Sequence, residues 1–360
     1  MIKKFIEGIT PLDKDAMEKA KLRVDSLAKP LGSLGELESI SVRISGITSK
    51  IINDTDKKCI IIMSADNGVV EEGVASAPQY VTLAQTKNFI KGKTGVCSIA
   101  KANKTSLKVV DIGINSDEKI EGVIDRKIKK GTKNIYKEPA MTYEECKIAI
   151  LIGIETVKEA KDEGYNILGV GEMGIGNTTT SSAVLKALLN IETEKIVGKG
   201  GGITSDSFIK KKAIVEEVIL KHNVNREDII DIVSKVGGYD IAGMIGVFIG
   251  ASYYKIPVVI DGFISVVAAL CASRLNPLVK GYLFPSHKSE EIGYNLAMEE
   301  LNLKPFLNLN MRLGEGSGCP IAFSVIDFAN SMMKNMATFS EGDIDDSYIE
   351  EVRSEECYKV

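Results

Sequence analysis

The sequence predicts an α/β protein: a parallel sheet covered by helices on both faces. Three observations predict it. Short runs that are apolar throughout end in Asp or Gly, as in Cys59-Ile-Ile-Ile-Met-Ser64 followed by Ala65-Asp-Asn-Gly68. The same design returns in Leu107-Lys-Val-Val-Asp-Ile-Gly113, Asn166-Ile-Leu-Gly-Val170 and Ile256-Pro-Val-Val-Ile-Asp-Gly262. Between the runs lie longer stretches with apolar residues at helical spacing. Strands that are apolar on both faces belong to sheets buried on both sides, and such sheets are parallel.

In chain order, residues 12–28 carry Met17, Ala20, Leu22, Val24 and Leu27 at helical spacing, and the helix must stop before Pro30. Lys29-Pro-Leu-Gly-Ser-Leu-Gly35 is then a rigid turn, with a second helix through about Thr48. Helices are further expected over 143–163, 179–190, 206–221, 226–236 and 320–336. The segment after Ala337 is rich in Asp and Glu and reads as a solvated terminal tail. The expected division is 1–50 for a helical N-terminal segment, 51–318 for a large α/β unit, 319–340 for a returning helix and 341–360 for the tail. Ligands of such sheets bind at the carboxyl ends of the strands, so the glycine and carboxylate loops should share one cleft.

Composition narrows the function. A chain of 360 residues with 44% hydrophobic and 26% charged residues can bury a large core. A formal net charge of −4 offers no basic field for nucleic acid or anionic lipid. No apolar run approaches the ~20 residues of a membrane span. The N-terminus has no signal-peptide pattern, so a cytoplasmic protein is expected. Six scattered cysteines, Cys59, Cys97, Cys146, Cys271, Cys319 and Cys357, read as buried thiols. With only His222 and His287 present, no metal-ligand cluster and no Ser-His-Asp elbow stands out, and no metal or cofactor is expected.

Two acidic glycine loops carry the chemistry. Gly169-Val-Gly-Glu-Met-Gly-Ile-Gly-Asn-Thr-Thr-Thr180 matches a dinucleotide fingerprint, with Glu192 at the distance of a ribose-binding acid. It also has the spacing of a triphosphate loop, but with Asn177 where the lysine should be. What remains suits a single phosphate on a helix N-terminus. Glu172 beside that phosphate can support positive charge at a sugar C1. A second glycine turn, Val197-Gly-Lys-Gly-Gly-Gly-Ile-Thr204, precedes a helix capped by Ser205 or Asp206, and one of Lys210, Lys211 and Lys212 can reach the phosphate. Glu315, between Gly314 and Gly316, is a carboxylate aimed at a ligand. The loop from Ala65 to Pro78, with Gln85 beyond it, reads as a wall for a planar group.

Together these segments resemble the nicotinate-nucleotide–dimethylbenzimidazole phosphoribosyltransferase family over roughly residues 12–336. The resemblance rests on Lys29-Pro-Leu-Gly-Ser-Leu-Gly35, Gly171-Glu-Met-Gly-Ile-Gly-Asn-Thr-Thr179, Ser234-Lys-Val-Gly-Gly-Tyr-Asp240, Asp261-Gly-Phe263, Pro285-Ser-His287 and Arg312-Leu-Gly-Glu-Gly-Ser-Gly318. It implies a Rossmann-like sheet with a small helical domain from the two chain ends. It also implies a homodimer whose active site borrows from the partner. The implied reaction joins nicotinate mononucleotide to 5,6-dimethylbenzimidazole, giving α-ribazole 5′-phosphate and nicotinate. By the same resemblance Glu315 is the general base and Glu172 a second catalytic residue. Gly174, Ile175, Gly176, Asn177, Thr178, Thr179, Gly201, Gly202 and Lys211 hold phosphate and ribose. Ala77, Pro78, Gln85 and Leu313 hold the base. Asn67 and Ala77 depart from the family's usual His and Ser, which leaves open phenolic or purine bases as acceptors. A NAD(P)-dependent oxidoreductase and a non-catalytic nucleotide-binding subunit are the rival readings.

Overall fold

The computed structural model of the chain describes residues 1–354. Its main sheet has six strands: β1 (Lys58–Ala65), β2 (Ser106–Gly113), β3 (Ile124–Asp125), β4 (Ile167–Met173), β5 (Val258–Ile260) and β6 (Leu283–Pro285). They lie in the order β3-β2-β1-β4-β5-β6, and every pairing is parallel. This is the doubly wound order, in which the chain reverses direction across the sheet between β1 and β4. Ligand crevices of such sheets open at that reversal. A separate parallel pair joins β7 (His287–Ser289) to β8 (Leu307–Met311).

All eight residues of β1 are buried, with Cys59, Ile60, Ile61, Ile62 and Met63 fully so. Each large apolar side chain buried this way contributes about 1.5–3 kcal/mol of transfer free energy. The helices expected at 143–163, 206–221 and 226–236 occur as Tyr143–Asp162, Ser205–Lys221 and Ile229–Val236. The first begins with a capping box between Thr142 and Glu145. The helix Ser205–Lys221 is capped by neither Ser205 nor Asp206: Thr204 accepts from Ser207 N. Several helices lie outside the expected set, among them Tyr80–Ile90, Gly95–Ala102 and Gly293–Leu301. Tyr239–Tyr253 and Phe263–Leu275 escape the sequence pattern because they are apolar all round and show no amphipathic period. Tyr239–Tyr253 packs backbone to backbone on Tyr143–Asp162, where a Cβ on Gly246 would meet Ile150 O at 2.0 Å.

The chain ends meet. Helices Lys14–Ser26, Glu36–Thr48 and Cys319–Asn335 enclose a small second core of Ala20, Val24, Leu27, Val42, Met332 and Met333. The rigid turn before Glu36 is set by a buried ion pair, Lys29 Nζ to Glu38 Oε1 at 2.8 Å. The tail is more ordered than its charge suggests: Ile349 is buried, Phe339 packs edge-on against Tyr348, and a short helix runs over Glu350–Ser354. Glu355, Glu356 and Cys357 lie outside the described residues, and the other five cysteines are buried free thiols. Among the described residues no helix is long and apolar enough to cross a membrane.

Candidate active site

Strand β4 runs three residues further than its apolar pattern indicates, so Glu172 is a strand residue and not part of a loop. The two glycines before it serve packing. A Cβ on Gly169 would meet Cys319 Sγ at 2.8 Å, and one on Gly171 would meet Glu315 O at 2.7 Å. The spacing that mimics a dinucleotide fingerprint therefore lets the Glu315 loop lie against the strand. Glu192 completes no such fingerprint either: it is solvent-exposed and pairs with Lys195 at 2.9 Å.

The Glu315 loop is held from three sides. Gly314, Glu315 and Gly316 all have positive φ, at 84°, 63° and 82°. For a glutamate this left-handed conformation costs roughly 1–2 kcal/mol, which the surroundings must offset. Asp261, at the end of β5, accepts from Gly316 N at 3.0 Å and Gly318 N at 2.7 Å. Glu172 Oε1 accepts from Glu315 N at 3.3 Å. The carboxylate itself receives Gln85 Nε2 at 2.7 Å and Val96 N at 3.4 Å. Val96 lies in the first turn of the helix Gly95–Ala102, whose positive end faces the carboxylate.

Glu172 is buried at the cleft floor. Asn177 Nδ2 donates to it by a short bond and also to Asp240 Oδ2 at 3.0 Å. Burial, with Asp240 and Asp261 adding repulsion, pushes the Glu172 carboxyl up to about 8. Burial likewise raises Asp240 to about 6 and Asp261 to about 7. No lysine or arginine ion-pairs with these three carboxyls among the described residues.

The end of the cleft where the sequence leads us to expect the phosphate is built from the loop after β4. Gly176, at φ 93°, starts the helix Asn177–Leu189, two residues earlier than its apolar pattern suggests. Several loop N–H groups are already engaged: Ile175 N by Thr82 Oγ1, Asn177 N by Gly174 O and Thr179 N by Gly176 O. Thr179 is fully buried, with its hydroxyl sealed from the cleft. Of the three consecutive lysines only Lys211 turns inward. Its Nζ donates to Thr178 Oγ1 and Gly198 O, both at 3.0 Å, and burial lowers its pKa to about 8. Lys210 pairs with Glu72 at 2.9 Å, and Lys212 lies over the Phe208 ring.

One cleft therefore gathers Glu172, Gly174, Ile175, Gly176, Asn177, Thr178, Gly201, Gln85, Leu313 and Glu315. Thr179, Gly202, Lys211, Ala77 and Pro78 do not line it, although Lys211 touches Thr178, which does. Their neighbours Ala75, Ser76, Lys199 and Gly200 do, together with Asp261, Phe263, His287, Ser289, Glu291 and Arg312. Asn67 is fully buried behind the phosphate loop, where it accepts from Thr180 Oγ1 at 3.3 Å. It supports that loop and is not part of a base wall. Asp240, Asp261 and His287 stand in motifs that sequence reading found, yet their place in the site depends on the crossing of distant loops.

Comparison with known proteins agrees with this geometry. Residues 9–344 match a family model described as Phosphoribosyltransferase. The chain is 71% identical over all 360 residues to the full-length nicotinate-nucleotide–dimethylbenzimidazole phosphoribosyltransferase of Clostridium perfringens strain 13. It is 48% identical over 344 residues to the Clostridium acetobutylicum protein of the same name, covering 96% of this chain and 98% of that one. The crystal structure of CobT from Thermus thermophilus superposes with a TM-score of 0.88 at 32% identity, over 92% of this chain and all of the other. The glycines of β4, Gly169 packed under Cys319 and Phe323 and Gly171 under the Glu315 loop, leave no dinucleotide fingerprint, so the oxidoreductase reading falls. The chain is a phosphoribosyltransferase and belongs to the nicotinate-nucleotide–dimethylbenzimidazole phosphoribosyltransferase family.

Proposed function

We propose that the chain transfers phosphoribose from nicotinate mononucleotide to 5,6-dimethylbenzimidazole or a related lower-ligand base. The products are α-ribazole 5′-phosphate and nicotinate, with inversion at C1 of the ribose. The observation that carries this reading is the Glu315 carboxylate, strained, buried and oriented by Gln85 and Val96 N in a cleft whose other end is lined by Thr178, with the Lys211 ammonium behind it on the Thr178 hydroxyl.

The bond from C1 to the pyridinium nitrogen breaks, and its electron pair neutralises that nitrogen, so the leaving group needs no acid. The benzimidazole nitrogen attacks C1 from the opposite face. Its remaining N–H proton passes to Glu315, a step worth ~10²–10⁴-fold. Glu172, below the reacting carbon in this reading, stabilises positive charge there once ionised. Lys211 and Thr178 hold the phosphate, with the glycine turn at Gly201 closing over it. The family resemblance supports a homodimer in which a second copy covers the base, beside Leu313 at the cleft mouth.

Incubating the protein with both substrates tests the reading. Nicotinate and α-ribazole phosphate should appear in equal amounts, and competition with adenine and p-cresol ranks the bases. If no base releases nicotinate, the assignment is wrong.

A further inference from the structure

His287 is buried, lines the cleft, and has no part in the reaction as described above. Its ring is tied at one nitrogen, with Nδ1 3.0 Å from Ser286 Oγ. Ser286 Oγ in turn donates its only proton to the carbonyl of Asp261 at 3.1 Å. That carbonyl takes no other donor among the described residues, and a buried carbonyl needs one. With the serine proton committed, the contact to the imidazole is made by Nδ1–H donating to the serine oxygen. The neutral ring has one proton, so Nε2 is left with a lone pair. Nε2 has no partner among the described residues and is not among the sealed orphan atoms, so the lone pair faces the open cleft.

A fixed acceptor in the cleft selects a donor from the substrates. This step rests on the reaction proposed above. The phosphate dianion, the nicotinate carboxylate and the departing pyridine nitrogen offer only lone pairs, which Nε2 repels. The N–H of the incoming base is claimed by Glu315. The remaining donors are the two ribose hydroxyls. We propose that His287 Nε2 accepts a hydrogen bond from a ribose hydroxyl of the nucleotide, making His287 a positioning residue that selects ribose over deoxyribose. Burial holds the imidazole pKa down at about 4, so it stays an acceptor across the physiological range. The Asp261 carboxylate grips the Glu315 loop while its carbonyl fixes this tautomer. One residue thus aligns the base and the sugar acceptor together.

The test compares nicotinate mononucleotide with its 2′-deoxy and 3′-deoxy analogues in the native protein, His287→Ala and His287→Gln. The native protein should lose about 10- to 100-fold in kcat/KM when the paired hydroxyl is removed. His287→Ala should lose a similar factor on the ribonucleotide and nothing further on that one analogue. His287→Gln, whose side-chain oxygen can reach the same point, should recover part of the preference. Losses in His287→Ala that multiply independently for both analogues would overturn the proposal. Should His287→Ala fail to fold, ¹⁵N spectra of the native protein decide. An unprotonated Nε2 that moves on adding the ribonucleotide, but not one of the deoxy analogues, is the expected result. A protonated Nε2, or equal shifts with all three nucleotides, would overturn it. These spectra need no turnover, so they separate failure here from failure of the proposed reaction.

Discussion

Replacing Glu315 by glutamine keeps the oxygen that Gln85 reaches and the backbone that Asp261 grips, and loses the proton acceptor together with the long contact from Val96 N. Nicotinate mononucleotide should therefore bind nearly as before while kcat falls by roughly two orders of magnitude or more. Unchanged turnover would take Glu315 out of the reaction. The lysines give a complementary comparison, because three adjacent residues of one type have three fates. Lys211→Ala removes the inward ammonium and should raise KM for the nucleotide by about 10- to 100-fold. Lys210→Ala breaks a pairing with Glu72, and Lys212→Ala only a ring contact with Phe208; both should leave KM within about twofold. Equal effects from all three would assign the phosphate to the wrong cation.

At the scale of elements, β4 and the loop crossing it explain what the sequence could and could not tell. The apolar runs of β1 and β5 were legible because full burial leaves an unbroken hydrophobic signature, and that of β2 because its second half is buried. The cleft residues Gly174 and Glu315 were legible because glycine and charge stand out in loops at the ends of apolar runs, and Gln85, within the helix Tyr80–Ile90, because it follows the loop after β1. The role of Gly169 and Gly171 was not, since a glycine needed for a ligand and one needed for a neighbouring backbone look alike in one dimension. The roles of Asp261 and His287 were hidden for a related reason: Asp261 grips a loop remote in sequence, and His287 reaches the cleft only once the strands before it are laid side by side. The strand glycines give a sharp test. A Cβ at Gly171 would meet Glu315 O at 2.7 Å and Gly316 N at 2.9 Å, both backbone atoms that cannot swing aside. Gly171→Ala should cost about 1–3 kcal/mol of stability and lower kcat by displacing Glu315. Native-like melting and turnover together would refute that account.

For the whole molecule, the buried carboxyls make stability depend on pH in an unusual direction. Glu172, Asp240 and Asp261 all titrate higher in the folded protein than in the unfolded chain. Between the ordinary carboxylate range near 4 and their folded values, the native state holds protons that the unfolded state has released. Stability from these groups is therefore fullest at low pH and is lost as pH rises, until about 8 for Glu172. His287 acts oppositely below neutrality, because its lowered pKa makes the fold gain stability as pH rises from about 4. Lys211 does the same on the alkaline side, from about 8 upward. A difference curve isolates the effect: the stability of the native protein relative to Glu172→Gln should fall steadily from pH 5 to 8 in urea titrations. Nicotinate mononucleotide brings a pyridinium charge to the same floor and favours the ionised carboxylate, so saturating nucleotide should flatten that slope and release protons on binding. A flat difference curve without ligand would mean that Glu172 is ionised throughout. Asn177 and Glu315 N would then suffice to hold its charge, and the cleft would bind the nucleotide without taking up or releasing a proton there.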